Sequence, residues 1–221
     1  MIQRAAELLT RRYDTPDQAF MTREVSQRLG AVLAAGAFSL RMSPNAVTLT
    51  GLVCMLLGAW AFAAGEGAAG IVAPLLLWQL GFGFDCADGQ LARATKRQSP
   101  FGGWLDVACD HIRQGALCLA LTAVSPGLAG YAVALLLLSG MTVYLHTVAV
   151  IKFSAPPKLE LGVHAGRLRV LVKELLDTPV FLLTLCLLRP WPSLLLLYAA
   201  GNGVLLLARA VALAKLRLAR A

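Results

Sequence analysis

Long blocks of apolar residues, separated by charged residues, glycine and proline, fill the chain from residue 44 onward. A helix that crosses a bilayer needs about 20 largely apolar residues. The candidate blocks are 46–65, 69–92, 102–123, 127–150, 172–188 and 193–214. The fifth has the weakest pattern, because Lys173, Glu174 and Asp177 lie at its start. The sequence therefore predicts an all-α integral membrane protein with six transmembrane helices over 44–215.

Residues 1–43 differ from the rest because basic and apolar side chains are mixed along them. The basic set is Arg4, Arg11, Arg12, Arg23, Arg28 and Arg41, and the apolar set includes Leu8, Leu9, Phe20, Val25, Leu29, Val32 and Leu33. A basic amphipathic helix of this kind is expected to lie in the cytoplasmic headgroup layer. A solvated helix packed on the bundle fits the pattern equally well. Pro44-Asn45 marks the break before the first span.

Composition supports a membrane protein and argues against a nucleic-acid partner. Hydrophobic residues make up 58% of the chain and charged residues 14%, whereas soluble domains carry roughly a quarter charged residues. The formal net charge is +8, but no basic stretch interleaves with aromatic residues as in nucleic-acid-binding proteins. The five cysteines show no CxxC spacing, so we expect buried thiols and no disulfide framework.

The basic residues are distributed unevenly between the two sides of the predicted bundle. The turns 65–70 and 124–129 contain no Lys or Arg, and the turn 188–193 contains only Arg189. The other basic residues lie in 1–43, in the loops 93–101 and 151–171, at helix ends on the same side, and in the tail 216–221. By the positive-inside rule this side is cytoplasmic. We therefore expect both termini in the cytoplasm, with the protein in a plasma membrane such as the bacterial inner membrane.

Four carboxylates lie at the facing ends of the second and third predicted spans. They are Asp85, Asp88, Asp106 and Asp110. Residues three or four apart share one face of a helix, so each pair presents its side chains together. The loop 93–101 folds one helix back onto the next, which lets both pairs converge.

Neighbouring carboxylates repel one another and are costly at membrane depth, so a cation is expected to offset them. An all-oxygen cluster suits Mg²⁺ or Mn²⁺, and four carboxylates exceed what one Mg²⁺ usually takes, so we expect two ions. A structural salt-bridge network with Arg93, Lys96 and Arg97 is the alternative. Gly89 and Gly102-Gly103 would let a phosphate approach the backbone, although small residues also serve helix packing.

These residues form one continuous motif. It consists of Asp85-x-x-Asp88-Gly89-x-x-Ala92-Arg93, eight further residues, Gly102, three residues, Asp106, three residues and Asp110. The motif resembles the signature of the CDP-alcohol phosphotransferases in every fixed position and spacing. The run 43–51 is similar to that family's lead into its first span. The resemblance covers roughly residues 20–215 and implies a six-helix catalytic domain with a cytoplasmic amphipathic helix before it.

The resemblance also implies roles for the residues of the motif. Asp85, Asp88 and Asp106 would be metal ligands, and Asp110 would be a ligand or the base that deprotonates the acceptor hydroxyl. The residues expected to bind the cytidine diphosphate are Asn45, Thr48, Asp85, Gly89, Ala92, Arg93 and Gly102. The hydroxyl would attack the β-phosphorus in line, with CMP leaving. Family members are typically homodimers.

The substrates are less narrowly defined by the sequence. A CDP-diacylglycerol donor in phospholipid synthesis and a soluble donor such as CDP-inositol both fit the motif. Arg113 and the intramembrane Arg209 would suit a phosphorylated acceptor such as inositol phosphate. A non-enzymatic cation carrier is the remaining alternative, but no polar residues continue the carboxylate cluster across the other half of the bilayer.

Overall fold

The computed structural model describes residues 18–154, 173–174 and 176–218, and all regular structure in these residues is helical. A π-helical turn at Thr22–Ser26 precedes helices that we label α1 Gln27–Ser39, α2 Pro44–Ala64, α3 Ala69–Thr95, α4 Pro100–Val124, α5 Leu128–Ser154, α6 Thr178–Leu188 and α7 Pro192–Leu218. The all-α prediction is confirmed for the described residues. Residues 1–17, most of the basic loop 151–171 and the end of the tail lie outside them.

Four helices in the described part of the chain are long and apolar enough to cross a membrane. They are Pro44–Ala64, Ala69–Thr95, Leu128–Val148 and Pro192–Lys215. Helix α4 has 25 residues, but its first half carries the charged residues of the motif. Helix α6 has only 11 residues, a length of about 16 Å against a hydrocarbon core of about 30 Å. An arrangement of six spans therefore stays a prediction.

The predicted fifth span, 172–188, is not one continuous helix in the described residues. Residues 173–174 are helical, but the chain leaves the helical conformation before α6 begins at Thr178. Asp177 is extended at the position before the helix, and Pro179 occupies its first turn. Because proline suits the first turn of a helix and not its interior, the chain starts a new helix here.

Local capping makes the connection between α3 and α4 short. Lys96 adopts a left-handed conformation with φ of 55° and ends α3, and the Arg97 N–H donates to the Ala92 carbonyl at 2.9 Å. Ser99 caps α4, because its hydroxyl accepts a hydrogen bond from the Gly102 N–H at 3.0 Å. The chain therefore reverses within one turn and brings the carboxylate-bearing ends of both helices to the same end of the bundle.

Helix α1 packs against the part of α3 that carries two of the aspartates. A Cβ atom on Gly30 would lie 2.7 Å from the Cβ of Cys86, so the two helices approach closely there. Gln90 is 1% exposed, and its Nε2 donates to the Gln27 carbonyl at 3.0 Å and to the Gln27 Oε1 at 2.8 Å. The motif-bearing helix is thus hydrogen-bonded directly to α1.

Two acidic residues that precede α6 hold the beginning of the first helical segment. Glu174 accepts a hydrogen bond from the Phe20 N–H at 2.8 Å. Asp177 accepts one from the Thr22 N–H at 3.0 Å and one from the Thr22 hydroxyl at 2.5 Å. The outer side of this segment and of α1 exposes Phe20, Val25, Val32 and Leu40. An exposed apolar side suits a helix on the headgroup layer, and that location stays a prediction.

Arg189 lies at the end of the bundle opposite the carboxylates and caps α2. Its Nε donates to the Phe62 carbonyl at 2.8 Å, and one terminal nitrogen donates to the Gly65 carbonyl. The guanidinium also lies 5.7 Å from the centre of the Phe62 ring. A cation is favoured at a helix C-terminus. This contact explains the one basic residue in the turns of the predicted non-cytoplasmic side.

Candidate active site

Three of the four predicted aspartates form a compact group. One carboxylate oxygen from each of Asp85, Asp106 and Asp110 lies within 4.8 Å of the others. Helix α3 supplies the first residue, and the first turns of α4 supply the other two. All three side chains are half-buried. We refer to Asp85, Asp106 and Asp110 as the carboxylate group.

Asp88 lies outside the carboxylate group and faces α2. Its residue is 8% exposed, and its Oδ2 accepts a hydrogen bond from the Thr48 hydroxyl at 2.5 Å. The same hydroxyl lies 3.1 Å from the Pro44 carbonyl, so its one proton has two possible acceptors. A side chain near the start of α2 therefore holds the Asp88 carboxylate.

Arg113 pairs with two members of the carboxylate group. One terminal nitrogen donates to Asp85 Oδ1 at 2.8 Å, and the other forms an ion pair with Asp110 Oδ1. The Arg113 side chain is 20% exposed. The salt-bridge partners predicted from the sequence were Arg93, Lys96 and Arg97. Arg113 was predicted only as an acceptor contact, although the i,i+3 spacing from Asp110 signals a pair on one helix face.

A cavity of about 210 Å³ lies between the start of α2, the end of α3 and the start of α4. Its lining includes six of the seven residues predicted to bind cytidine diphosphate, namely Asn45, Thr48, Gly89, Ala92, Arg93 and Gly102. The seventh, Asp85, belongs to the carboxylate group instead. Asp88 and Asp106 also line the cavity. We call this space the donor cavity, because most of its lining was predicted from the sequence to bind the donor, and it adjoins the aspartates.

The lining of the donor cavity extends beyond the residues predicted to bind cytidine diphosphate. Arg97, Gln98, Ser99 and Gly103 line it as well. They lie between or beside fixed positions of the motif, and this proximity in the sequence is the signal that could have identified them. The cavity is narrow at Gly102, where a Cβ atom would lie 3.2 Å from Ser99 Oγ and 3.3 Å from Asn45 Oδ1. The N-terminus of α4 lies here, and a helix N-terminus favours an anion such as a phosphate.

The two arginines predicted to bind the acceptor lie in different surroundings. Arg113 lies in the wall of a second cavity of about 80 Å³, together with Gln114, Thr178 and apolar side chains. Arg209 on α7 lies with its guanidinium carbon 5.1 Å from the centre of the Tyr144 ring, a cation–π contact. Neither of these two cavities has Arg209 in its lining. The structure therefore does not bring the two arginines together at one cavity.

Comparisons with known proteins identify a family and several relatives. The family model described as CDP-alcohol phosphatidyltransferase matches residues 41–216. The chain is 33% identical over 96 residues to the archaetidylinositol phosphate synthase of Pyrococcus horikoshii. This match covers 43% of this chain and 46% of that protein. The chain is also 33% identical over 99 residues to the phosphatidylinositol phosphate synthase of Mycobacterium marinum, and this match covers 44% of this chain and 41% of that protein. The chain thus spans less than half the length of these curated relatives.

The fold is also similar to that of a solved structure. A crystal structure of Mycobacterium tuberculosis phosphatidylinositol phosphate synthase with CDP-DAG bound matches with a TM-score of 0.57 and 20% sequence identity. The match covers 86% of this chain and 92% of that chain. At this level of identity the similarity concerns the fold.

Proposed function

Because this chain belongs to the CDP-alcohol phosphatidyltransferase family, we propose that it transfers a substituted phosphate from a CDP-alcohol to a hydroxyl of a polar acceptor, with release of CMP. One observation carries the proposal: six of the seven residues expected to hold cytidine diphosphate line one cavity together with Asp88 and Asp106. The proposed donor is CDP-diacylglycerol, because the similar crystal structure has CDP-DAG bound. The reaction would then belong to phospholipid biosynthesis.

The donor cavity suits a nucleoside diphosphate. Gly89 and Gly102 leave room for phosphate oxygens to approach the backbone, and the Asn45 side chain lies beside Gly102. The Arg93 guanidinium in the wall adds positive charge opposite the aspartates. These residues would bind the cytidine diphosphate and keep its β-phosphate next to the carboxylate group.

The carboxylate group has the type of ligands found in a Mg²⁺ or Mn²⁺ site, because oxygen atoms from three carboxylates converge within 4.8 Å. Asp88 in the adjoining wall offers a further ligand, and we propose two ions. When held by these aspartates, the ions would supply positive charge that neutralises the charge developing on the leaving CMP. The role of the chain is to fix the carboxylates before the donor enters.

Asp110 is the proposed base of the reaction. It would accept the proton of the acceptor hydroxyl while that oxygen attacks the β-phosphorus and the bond to the CMP oxygen breaks. Its contact with Arg113 keeps the carboxylate in a fixed orientation on α4. A base needs this preorganisation, because it must lie within hydrogen-bond reach of the attacking hydroxyl.

The proposed acceptor is a phosphorylated alcohol such as inositol phosphate. The names of the curated relatives, which are inositol phosphate lipid synthases, support this choice. Arg209 stays a proposed contact of its phosphate, and Arg113 could contact it only if one of its terminal nitrogens left Asp85 or Asp110. We further propose that the protein is a homodimer in a bacterial inner membrane, with both termini in the cytoplasm.

A substrate scan tests the proposed function. The purified protein in lipid nanodiscs is given CDP-diacylglycerol or CDP-inositol, each with inositol, inositol phosphate or glycerol phosphate, and CMP and lipid products are measured by mass. We expect CMP and a new phospholipid only with CDP-diacylglycerol and inositol phosphate. Product from CDP-inositol would reassign the donor, and absence of CMP from every pair would contradict the transferase. The Asp106→Asn variant is the inactive control.

A further inference from the structure

The carboxylate group poses an electrostatic problem that exists before any substrate or ion binds. Three carboxylates with oxygens within 4.8 Å of one another repel strongly. Their side chains are half-buried, so water screens the repulsion only in part. A protein that folds into a membrane before it acquires metal has to offset this charge with its own residues.

Arg113 is placed to do this. Its two terminal nitrogens contact Asp85 from α3 and Asp110 from α4. The exposed fractions of the three side chains are 20% for Arg113, 24% for Asp85 and 16% for Asp110. A charge-assisted hydrogen bond to Asp85 and an ion pair with Asp110, made by the two terminal nitrogens of one planar guanidinium, hold the two carboxylates near each other. The contact also links the two helices of the motif.

We propose that Arg113 is the resident counter-ion of the carboxylate group. It is a positioning residue that holds Asp85 and Asp110 in place while the site holds no metal. As a consequence it weakens metal binding, because a fixed positive charge lies beside the proposed ligands. The inference rests on the proposed metal site but not on the identity of donor or acceptor.

This role differs from phosphate binding in what it requires of Arg113. Both terminal nitrogens already contact carboxylates, so an acceptor phosphate would have to take the place of one of them. A counter-ion changes the affinity for metal and the stability of the metal-depleted protein. A phosphate ligand changes the Michaelis constant of the acceptor and leaves metal binding as it was.

The test compares thermal unfolding of Arg113→Gln and the wild type in nanodiscs, in excess EDTA and in saturating Mg²⁺ or Mn²⁺. We expect the unfolding midpoint of the variant to fall in EDTA and to return close to the wild-type value in metal. The increase of the unfolding midpoint on addition of metal is then larger in the variant than in the wild type. Since stabilisation by a ligand grows with its affinity, calorimetric titration should show a metal dissociation constant lower by about tenfold or more.

Arg189→Gln is the matched control, because Arg189 is another partly buried arginine whose hydrogen bonds go to backbone carbonyls. It should lower the midpoint equally with and without metal. If Arg113→Gln behaves like this control, or binds metal more weakly than the wild type, the counter-ion role is wrong. Arg113→Lys, which keeps the charge, should leave the metal-induced rise close to that of the wild type. It provides the same test if the glutamine variant fails to fold.

The result also separates this inference from the proposed function. If the wild-type protein binds neither Mg²⁺ nor Mn²⁺, the metal site and the counter-ion role are both wrong. Metal binding that is unchanged in Arg113→Gln, with a raised Michaelis constant for inositol phosphate, would overturn the counter-ion role and leave the proposed transferase intact.

Discussion

The hydrogen bond between Thr48 and Asp88 offers a sharp test of the site, because one hydroxyl can be removed with almost no change in shape. Thr48→Val replaces the hydroxyl by a methyl group and keeps the β-branched side chain in α2. Both residues are 8% exposed, and the oxygens are 2.5 Å apart. The variant leaves the Asp88 carboxylate without this hydrogen-bond donor.

The expected size of the effect follows from the charge and the surroundings of Asp88. A hydrogen bond to a charged group contributes about 1.5–3 kcal/mol, which corresponds to roughly 10- to 150-fold in an equilibrium constant. Asp88 also lines the donor cavity, so water can replace part of the lost bond. We therefore expect the lower end, a loss of about tenfold in kcat/KM for the donor.

The assay is CMP release as a function of donor and of Mg²⁺ concentration. Thr48→Val should lower kcat/KM for the donor and raise the Mg²⁺ concentration needed for half-maximal rate, while the Michaelis constant of the acceptor stays constant. Thr50→Val is the matched control, because the Thr50 hydroxyl donates only to the Ala46 carbonyl of its own helix, at 2.8 Å. Equal activity of the two variants would refute the role of Thr48 at Asp88.

The remaining predictions concern the metal, the ligands, the acceptor and α1. Excess EDTA should abolish CMP release and added Mg²⁺ or Mn²⁺ should restore it; full activity after extensive dialysis against EDTA would contradict the metal site. Asp106→Asn should lower kcat by orders of magnitude without unfolding the protein, as checked by its thermal midpoint, and a near-normal rate would remove Asp106 from the ligands. Arg209→Gln should raise the Michaelis constant of a phosphorylated acceptor about 10- to 150-fold, with partial recovery in Arg209→Lys; an effect on the donor alone would contradict this. Gln90→Leu should lower the unfolding midpoint, since the Gln27 carbonyl and side chain lose their partner; a midpoint equal to that of the wild type would show that the bond to α1 contributes nothing.

The hairpin that carries the aspartates could be predicted because its determinants are local. The i,i+3 and i,i+4 spacings fix which side chains share a face, and the ends of α3 and α4 are set by residues within the hairpin itself, such as Ser99 and Gly102. Long apolar helices were equally accessible, since α2 and α7 differ from the predicted blocks by only a few residues at each end.

Features that depend on distant residues could not be predicted in the same way. The acidic residue before α6 was counted as part of a span, but Asp177 binds Thr22, which lies 155 positions away in the chain. Asp85 and Arg113 are separated by 28 positions, and their contact depends on how α3 packs on α4. The cation–π contact of Arg209 with Tyr144 likewise requires the packing of α7 on α5.

The measurement that tests the central claim most directly is the fate of the β-phosphorus of the donor. CDP-diacylglycerol labelled with ³²P at its β-phosphate is incubated with the protein, Mg²⁺ and inositol phosphate, and the products are separated. Attack of the acceptor hydroxyl at the β-phosphorus should place all of the label in the new phospholipid and release unlabelled CMP. Label in phosphatidic acid, or in any product without the acceptor, would contradict the proposed transfer.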